Sequence, residues 1–565
     1  MQRGKSQRTK SGNNLRLYFL VIMLIFVLFI LFARIFYLGI INRSFLLEQS
    51  AERSIRKVEI PAHRGMIKDR NGSPLAVSVP MSSIWINPKI FHASLNQQKQ
   101  LAALLEVPII DIRKKAEATN KGFLYLKRLV KPDVAAQIND LNIPGVFLQE
   151  EYTRYYPEAE STVHILGFTD IDERGQEGLE LAYDEWLQGK PGIKRVLKDR
   201  LGNTIADLGT IRKADPGKDL TLSIDRRIQY LAYHELAETV EKYHAESGMA
   251  VVLSVKTGEI LAMANLPSCN PNNRQELNPV CYRNRAVTDV FEPGSTVKAF
   301  SVANALESGK YTPNTWIDTN PGHIKVYNHV IYDDEHVNNG LLTVTGVLKR
   351  SSDVGVAKMT LSLPPYSLLN VLKRVGFGQS TDSGFPGEVT GSLPNNLRAR
   401  PLVLATLAFG YAMSTDALQL ASAYASIASG GMMRQVTFLK VDNPLSERRV
   451  LSQKIANEIL AMLETVVEYG GTGRRAHVSG YHVAGKTGTA YIAGKHGYYQ
   501  DRYFAIFAGM APLENPEAVV AVVIKNPRGG AYYGGLVAAP VFSNIMAGTL
   551  RTLNVVPDDV ARNKI

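Results

Sequence analysis

From Leu17 to Ala33 the chain carries no charged residue, and beyond Arg34 the apolar run resumes through Ile35, Phe36, Tyr37, Leu38, Ile40 and Ile41. As a helix these residues rise about 37 Å, enough to cross a hydrocarbon layer of about 30 Å with Arg34 reaching back to the interface. Arg3, Lys5, Arg8, Lys10 and Arg16 precede the run without an intervening acid, a bias that holds residues 1–16 in the cytoplasm. No small-x-small cleavage site follows the run, so it reads as an anchor rather than a removable signal. No later stretch is apolar enough to span, so residues 42–565 are expected to fold together outside the membrane.

A chain of 565 residues is too long for one core, and two or three domains are expected. The net charge of +12 (64 Lys and Arg minus 52 Asp and Glu) is spread along the sequence, with no long basic helix or aromatic-basic alternation. That excludes a nucleic-acid reader and suits a membrane surface or an anionic wall polymer. The only cysteines, Cys269 and Cys281, lie in the exported part, where a disulfide is permitted; their spacing does not choose between a bridge and two thiols.

Residues 44–57 read as a helical stalk. Asn71-Gly72, between Asp69 and Pro74, is the strongest hairpin-turn signal in the chain. Residues 90–150 carry short amphipathic segments without recognisable chemistry. His164 has no partner at a metal-ligand spacing and reads as structural. Near Lys218 the texture changes to that of a second domain: Asp225 can cap a helix through Ile228, Leu231, Leu236, Val240 and Tyr243, and strands are expected over 249–255 and 259–265.

Chemistry concentrates downstream. In Phe291-Glu292-Pro293-Gly294-Ser295-Thr296-Val297-Lys298, a helix is expected to begin near Ser295, placing its hydroxyl among unpaired N–H groups with Lys298 three residues on, on the same face. That pattern fits a serine nucleophile with a built-in base. Ser54 and Lys57 share the spacing without a helix-start signal. Ser351 and Asp353 stand two apart on a loop. Lys-Thr-Gly occurs twice: Lys256-Thr257-Gly258 reads as a turn between strands, whereas Lys486-Thr487-Gly488-Thr489 lies inside a strand whose glycines suggest close approach by a ligand.

Taken together, Ser295-x-x-Lys298, Ser351-x-Asp353 and Lys486-Thr487-Gly488-Thr489 resemble the penicillin-binding and serine β-lactamase superfamily. With the Arg64 to Ala76 segment, Arg154-Tyr155-Tyr156-Pro157, Arg283-Asn284-Arg285, Tyr532-Tyr533-Gly534-Gly535 and Ala539-Pro540-Val541-Phe542, the chain resembles a class B penicillin-binding protein of the FtsI type, the septal D,D-transpeptidases. The resemblance implies an α/β (α+β) chain: one transmembrane helix, an elongated α+β pedestal, and a C-terminal serine transpeptidase domain with helices around a mainly antiparallel sheet. The expected bounds are a tail 1–16, the membrane helix 17–41, the pedestal 42–220, the transpeptidase domain 221–557 and a tail 558–565.

By resemblance, Ser295 attacks the penultimate D-Ala carbonyl of a stem pentapeptide, Lys298 takes its proton, Ser351 passes a proton to the departing D-Ala, and Asp353 positions the substrate. Lys486, Thr487 and Thr489 receive the terminal carboxylate, Gly488 is counted with them as substrate-binding, the N–H groups of Ser295 and Thr489 form an oxyanion hole, and Tyr411, Tyr532 and Tyr533 line the cleft. No cofactor and no metal is expected. The implied partners are stem peptides and lipid II-derived glycan strands, β-lactams, the membrane, FtsW, and the divisome proteins FtsQ, FtsL, FtsB and FtsN, but no nucleic acid. FtsI-type proteins usually carry Ser-x-Asn where this chain has Asp353. Other readings are a D,D-carboxypeptidase, a β-lactamase-like hydrolase, a penicillin sensor and a divisome scaffold. The hydrolase is disfavoured because no Glu-x-x-Leu-Asn segment occurs.

Overall fold

The structure, a computed structural model, describes residues 12–44, 55–198, 204–397, 400–495 and 497–558. Arg3, Lys5, Arg8 and Lys10 of the basic tail, Ser54, and residues 559–565 lie outside the described residues. Gly12–Phe36 is an α-helix, continued by a π-helical turn over Tyr37–Ile41. Side chains from Leu17 to Tyr37 are all exposed, an apolar surface consistent with a membrane-spanning helix. The Arg34 guanidinium lies 5.7 Å from the Tyr37 ring, holding its charge at one end of the run. Arg16–Ile41 is the one span among the described residues long and apolar enough to cross a membrane.

The chain forms two compact units. The first combines the described residues up to 62 with those of 82–150 and 190–215. Its helices Leu95–Leu105, Ile109–Ala116 and Pro132–Asp140 bury Leu101, Leu105, Ile112 and Ile138 with Ile84, Ile86, Leu126 and Val130 of two strands. Ser94 and Gln97 close a reciprocal capping box on the first helix. Elsewhere in the unit, Ile55–Ile60, Gly192–Lys198 and Thr204–Arg212 form an antiparallel sheet. This corrects the expected stalk: residues 45–54 lie outside the described residues, and Ile55 to Lys57 are strand, paired with Leu197 to Arg195. The β-branched residues Ile55, Val58 and Ile60 sit in a strand whose partner is some 140 residues away, which a local reading misses.

The second unit gathers 63–81, 151–189 and the described residues from 216 onward. Its first turn is the one read from Asn71-Gly72: the Asp69 carboxylate accepts from the Asn71 and Ser73 N–H groups at 2.9 and 2.7 Å, and Gly72 has φ of 87°. Glu180, fully buried, binds both Arg64 (2.8 Å) and Arg154 (2.6 Å), so the arginines of two sequence motifs neutralise one carboxylate.

At the centre of this unit lies a five-stranded antiparallel sheet. In chain order its strands are β1 (Ser247–Ser254), β2 (Ile260–Leu266), β3 (Ala484–Gly494), β4 (Gly497–Ala511) and β5 (Ala518–Lys525); in space the order is β2-β1-β5-β4-β3. Helix α1 (Arg226–Lys242) is capped by the Asp225 carboxylate on Arg227 N–H, as its sequence predicts. The central strands are continuous apolar runs because both sheet faces are covered. Ala250 and Val252 face Ile228 and Leu236 of α1 and Val537 and Phe542 of the C-terminal helix Gly534–Thr552. Met249, Val251 and Leu253 face a core containing Val297, Phe300, Leu420 and Tyr424. Lys256-Thr257-Gly258 is a turn between β1 and β2, with Lys256 paired to Glu517. Cys269 and Cys281 are joined in a disulfide. His164 is buried with Nε2 at 3.0 Å from the Pro267 carbonyl, and burial pushes its imidazole down to about 4. No group of three or more metal-ligating side chains occurs among the described residues.

Candidate active site

Gly294 to Val297 form a single 3-10 turn, and the α-helix proper starts at Lys298, three residues later than the sequence predicts. Gly294 holds φ of 54°, which turns the chain sharply so that Ser295 faces a cleft while Lys298 is fully buried beneath it. The cleft encloses about 680 Å³. Ser351, Asp353, Thr487 and Thr489 share its lining with Ser295.

Two lysines converge on one hydroxyl. Lys298 Nζ donates to Ser351 Oγ at 3.1 Å and Lys486 Nζ donates to the same oxygen at 2.9 Å. Lys298 also donates to the Ser351 carbonyl and pairs with Asp353 Oδ1 at 2.5 Å. Among the described hydrogen bonds, none joins Lys298 to Ser295; such bonds commonly tighten only once substrate is bound. Lys486 donates further to the Thr487 carbonyl (3.1 Å) and hydroxyl (3.2 Å). Burial holds the Lys486 amine well below the usual lysine range, the charge of Lys298 adds to this, and Asp353 opposes it. Burial likewise raises the Asp353 carboxyl, against the pull of Lys298.

Ser351 ends the Val344–Arg350 helix in a left-handed conformation (φ 58°) that turns its hydroxyl toward the two lysines. The following helix, Asp353–Leu361, begins at Asp353. Ser352 caps it through Gly355 N–H and donates to the buried Asp333 carboxylate, which also accepts from Val354 N–H at 2.9 Å. Sequence reasoning missed Asp333, since nothing in its own neighbourhood marks it.

On the opposite wall runs β3. The sequence assigned Gly485 and Gly488 to close approach by a ligand, but the structure fills both approaches with protein. A Cβ on Gly488 would sit 2.9 Å from the Pro293 carbonyl, and one on Gly485 would sit 2.6 Å from the Phe507 ring. The glycine in Lys-Thr-Gly thus lets the strand lie against the turn that carries Ser295. Gly488→Ala is expected to lower stability by about 1–3 kcal/mol and slow covalent labelling at Ser295, checked by thermal unfolding beside labelling rates. Thr489 Oγ1 accepts from Gly534 N–H, and Thr487 Oγ1 meets Thr472 Oγ1 at 2.8 Å. Thr472 was not foreseen; the Gly470-Gly471-Thr472-Gly473 sequence around it is a visible loop signal.

Tyr411, Tyr532 and Tyr533 all line the cleft. Tyr491 and Tyr503, also missed, join them. These two are cross-strand partners on β3 and β4, and Tyr503 stacks on Tyr532 at 4.2 Å.

A family model described as penicillin binding protein transpeptidase domain matches residues 248–547, and one described as penicillin-binding protein dimerisation domain matches 59–222. Over 534 residues the chain is 43% identical to the peptidoglycan D,D-transpeptidase FtsI of Escherichia coli, covering 94% of this chain and 90% of that one. The chain belongs to the class B penicillin-binding proteins, of the FtsI type. It is also 43% identical over 546 residues, 96% of each chain, to a probable peptidoglycan D,D-transpeptidase, PbpC, of Pseudomonas aeruginosa. Among solved structures, penicillin-binding protein 3 of Mycobacterium tuberculosis, complexed with aztreonam, matches with a TM-score of 0.69 at 27% identity, over 88% of this chain and 98% of that one. The α+β architecture and antiparallel sheet agree with this class B family.

Proposed function

We propose that this protein is the serine-acylating D,D-transpeptidase of septal peptidoglycan and a target of β-lactams. The observation that carries the reading is Ser351 Oγ held between the amines of Lys298 and Lys486, in the cleft that Ser295 faces. Ser295 attacks the penultimate D-Ala carbonyl, and Lys298 or its relay through Ser351 takes the proton and returns it to the departing D-Ala. Asp353 orients the substrate. Lys486, Thr487 and Thr489 receive the terminal carboxylate, Gly488 lets their strand reach the Ser295 turn, and the N–H groups of Ser295 and Thr489 bind the developing oxyanion.

In this reading residues 1–16 are a cytoplasmic tail, 17–41 cross the inner membrane, 42–220 form the pedestal, 221–557 the transpeptidase domain and 558–565 a tail. FtsW is the partner of the membrane helix, and FtsQ, FtsL, FtsB and FtsN are partners of the exported part. A cross-linking enzyme must keep water from its acyl-enzyme until an amine arrives. The full-length protein acylated with a labelled penicillin is therefore expected to hold its label for many minutes. Loss within seconds would favour a hydrolase instead.

A further inference from the structure

Arg350 is the one arginine or lysine among the described residues that line the cleft. It ends the Val344–Arg350 helix, directly before Ser351. Its side chain is exposed, and its one described polar contact is a long one, Nη1 to the Gly470 carbonyl at 3.4 Å. A guanidinium carries five N–H donors in a planar fork matched to a carboxylate, so most of that capacity is unused. The same cleft is lined by Asp334 and Glu335, whose carboxylates both accept from the Tyr533 hydroxyl, at 3.4 and 3.3 Å. Among the described ion pairs, none includes Arg350, Asp334 or Glu335. The charge of Asp334 is felt at Asp353: after burial, the carboxylates of Asp333 and Asp334 add to what raises the Asp353 carboxyl.

Water satisfies an exposed charge, so exposure alone signifies nothing. What sets these groups apart is that a cation and two carboxylates face one cleft beside Ser351 without neutralising each other. A ligand matching that arrangement is itself dipolar, an ammonium at one end and a carboxylate at the other.

We propose that Arg350, with Asp334 and Glu335, forms the acceptor subsite of the reaction, taking an amine whose skeleton also bears a carboxylate. The proposal rests on the acyl-enzyme reading above. Arg350 binds the acceptor carboxylate bidentately, while Asp334 and Glu335 draw the ammonium into the cleft, where it loses one proton to solvent before attack. The free amine then forms the new C–N bond at the acyl carbon, the bond from that carbon to Ser295 Oγ breaks, and a second amine proton passes by Lys298 or Ser351 to Ser295 Oγ. Selection of the acceptor is thereby separated from recognition of the donor, which lies with Lys486 and Thr487.

The test uses the full-length protein in detergent, a thioester analogue of the stem peptide as donor, and two acceptors, D-alanine and D-alaninamide, at equal concentrations of free amine. The readout is the ratio of aminolysis to hydrolysis of the acyl-enzyme. The unaltered protein is expected to favour D-alanine over its amide by about tenfold, Arg350→Ala to abolish that preference, and Arg350→Lys to keep part of it. Asp334→Asn together with Glu335→Gln should lower aminolysis by both acceptors, since both amines enter as cations. Penicillin labelling reports which variants are folded, and Arg350→Gln replaces the alanine variant if that one is not labelled. Absence of a preference in the unaltered protein, or its persistence in folded Arg350→Ala, would overturn the proposal. Failure of thiol release in the unaltered protein would instead overturn the acyl-enzyme reading, and this proposal with it.

Discussion

Ser295→Ala is expected to abolish covalent labelling by penicillin, lowering the second-order acylation rate by roughly four orders of magnitude or more while leaving the thermal midpoint nearly unchanged. The residue is half-buried at the cleft floor and has no described hydrogen bond from its hydroxyl, so losing one oxygen removes little packing. The chemistry, by contrast, has no substitute. Ser351 is the other hydroxyl near both lysines, but it is fixed between the two amines by bonds of 3.1 and 2.9 Å, and its own backbone carbonyl is tied to Lys298. Labelling that survives in the variant, or that disappears instead in Ser54→Ala, would remove Ser295 from its assigned place.

Asp353→Asn is expected to accelerate acylation at neutral pH by about tenfold and to move the rising limb of its pH profile to lower pH. The sign follows from geometry. A carboxylate oxygen 2.5 Å from Lys298 Nζ stabilises an ammonium there, whereas a general base must present a free amine. An amide of the same size keeps an acceptor oxygen but removes the charge, and with it what favours an ammonium at that place. Burial, with the charge of Lys298 beside it, also disfavours an ammonium on Lys486, the second donor to Ser351 Oγ. A change of one unit in the position of the limb corresponds to about 1.4 kcal/mol, within reach of a single close ion pair. Second-order acylation rates from about pH 6 to 10 for both proteins decide it. Superimposable profiles would show that the carboxylate only contacts substrate.

What the sequence discloses and what it withholds divide along range. Ser295 and Lys298, Ser351 and Asp353, and Lys486 and Thr487 announce themselves because each pair needs only a helical turn, a loop or a strand to bring it together. Asp225 as a cap and Asn71-Gly72 as a turn are legible for the same reason. Asp333 is not, because its carboxylate bonds Ser352 and Val354 only after the chain between them has folded back through the Leu341–Thr343 strand and a helix. Thr472 is placed by its contact with Thr487, and Tyr491 by its pairing with Tyr503. The Gly488 case shows a motif read correctly in place and incorrectly in cause, since its missing side chain makes room for Pro293 rather than for a ligand. The strand at Ile55 and the gathering of 63–81 and 151–189 into the second unit depend on partners far along the chain, where local periodicity carries no information.

The most direct measurement of the central claim is product analysis. Full-length protein is incubated with uncross-linked glycan strands bearing pentapeptide stems, and released D-alanine is quantified beside the muropeptides recovered after glycan digestion. The account predicts D-alanine release matched by cross-linked dimers, with both lost in Ser295→Ala and both blocked by prior penicillin. D-alanine released without dimers, leaving tetrapeptide monomers, would contradict it in favour of a carboxypeptidase.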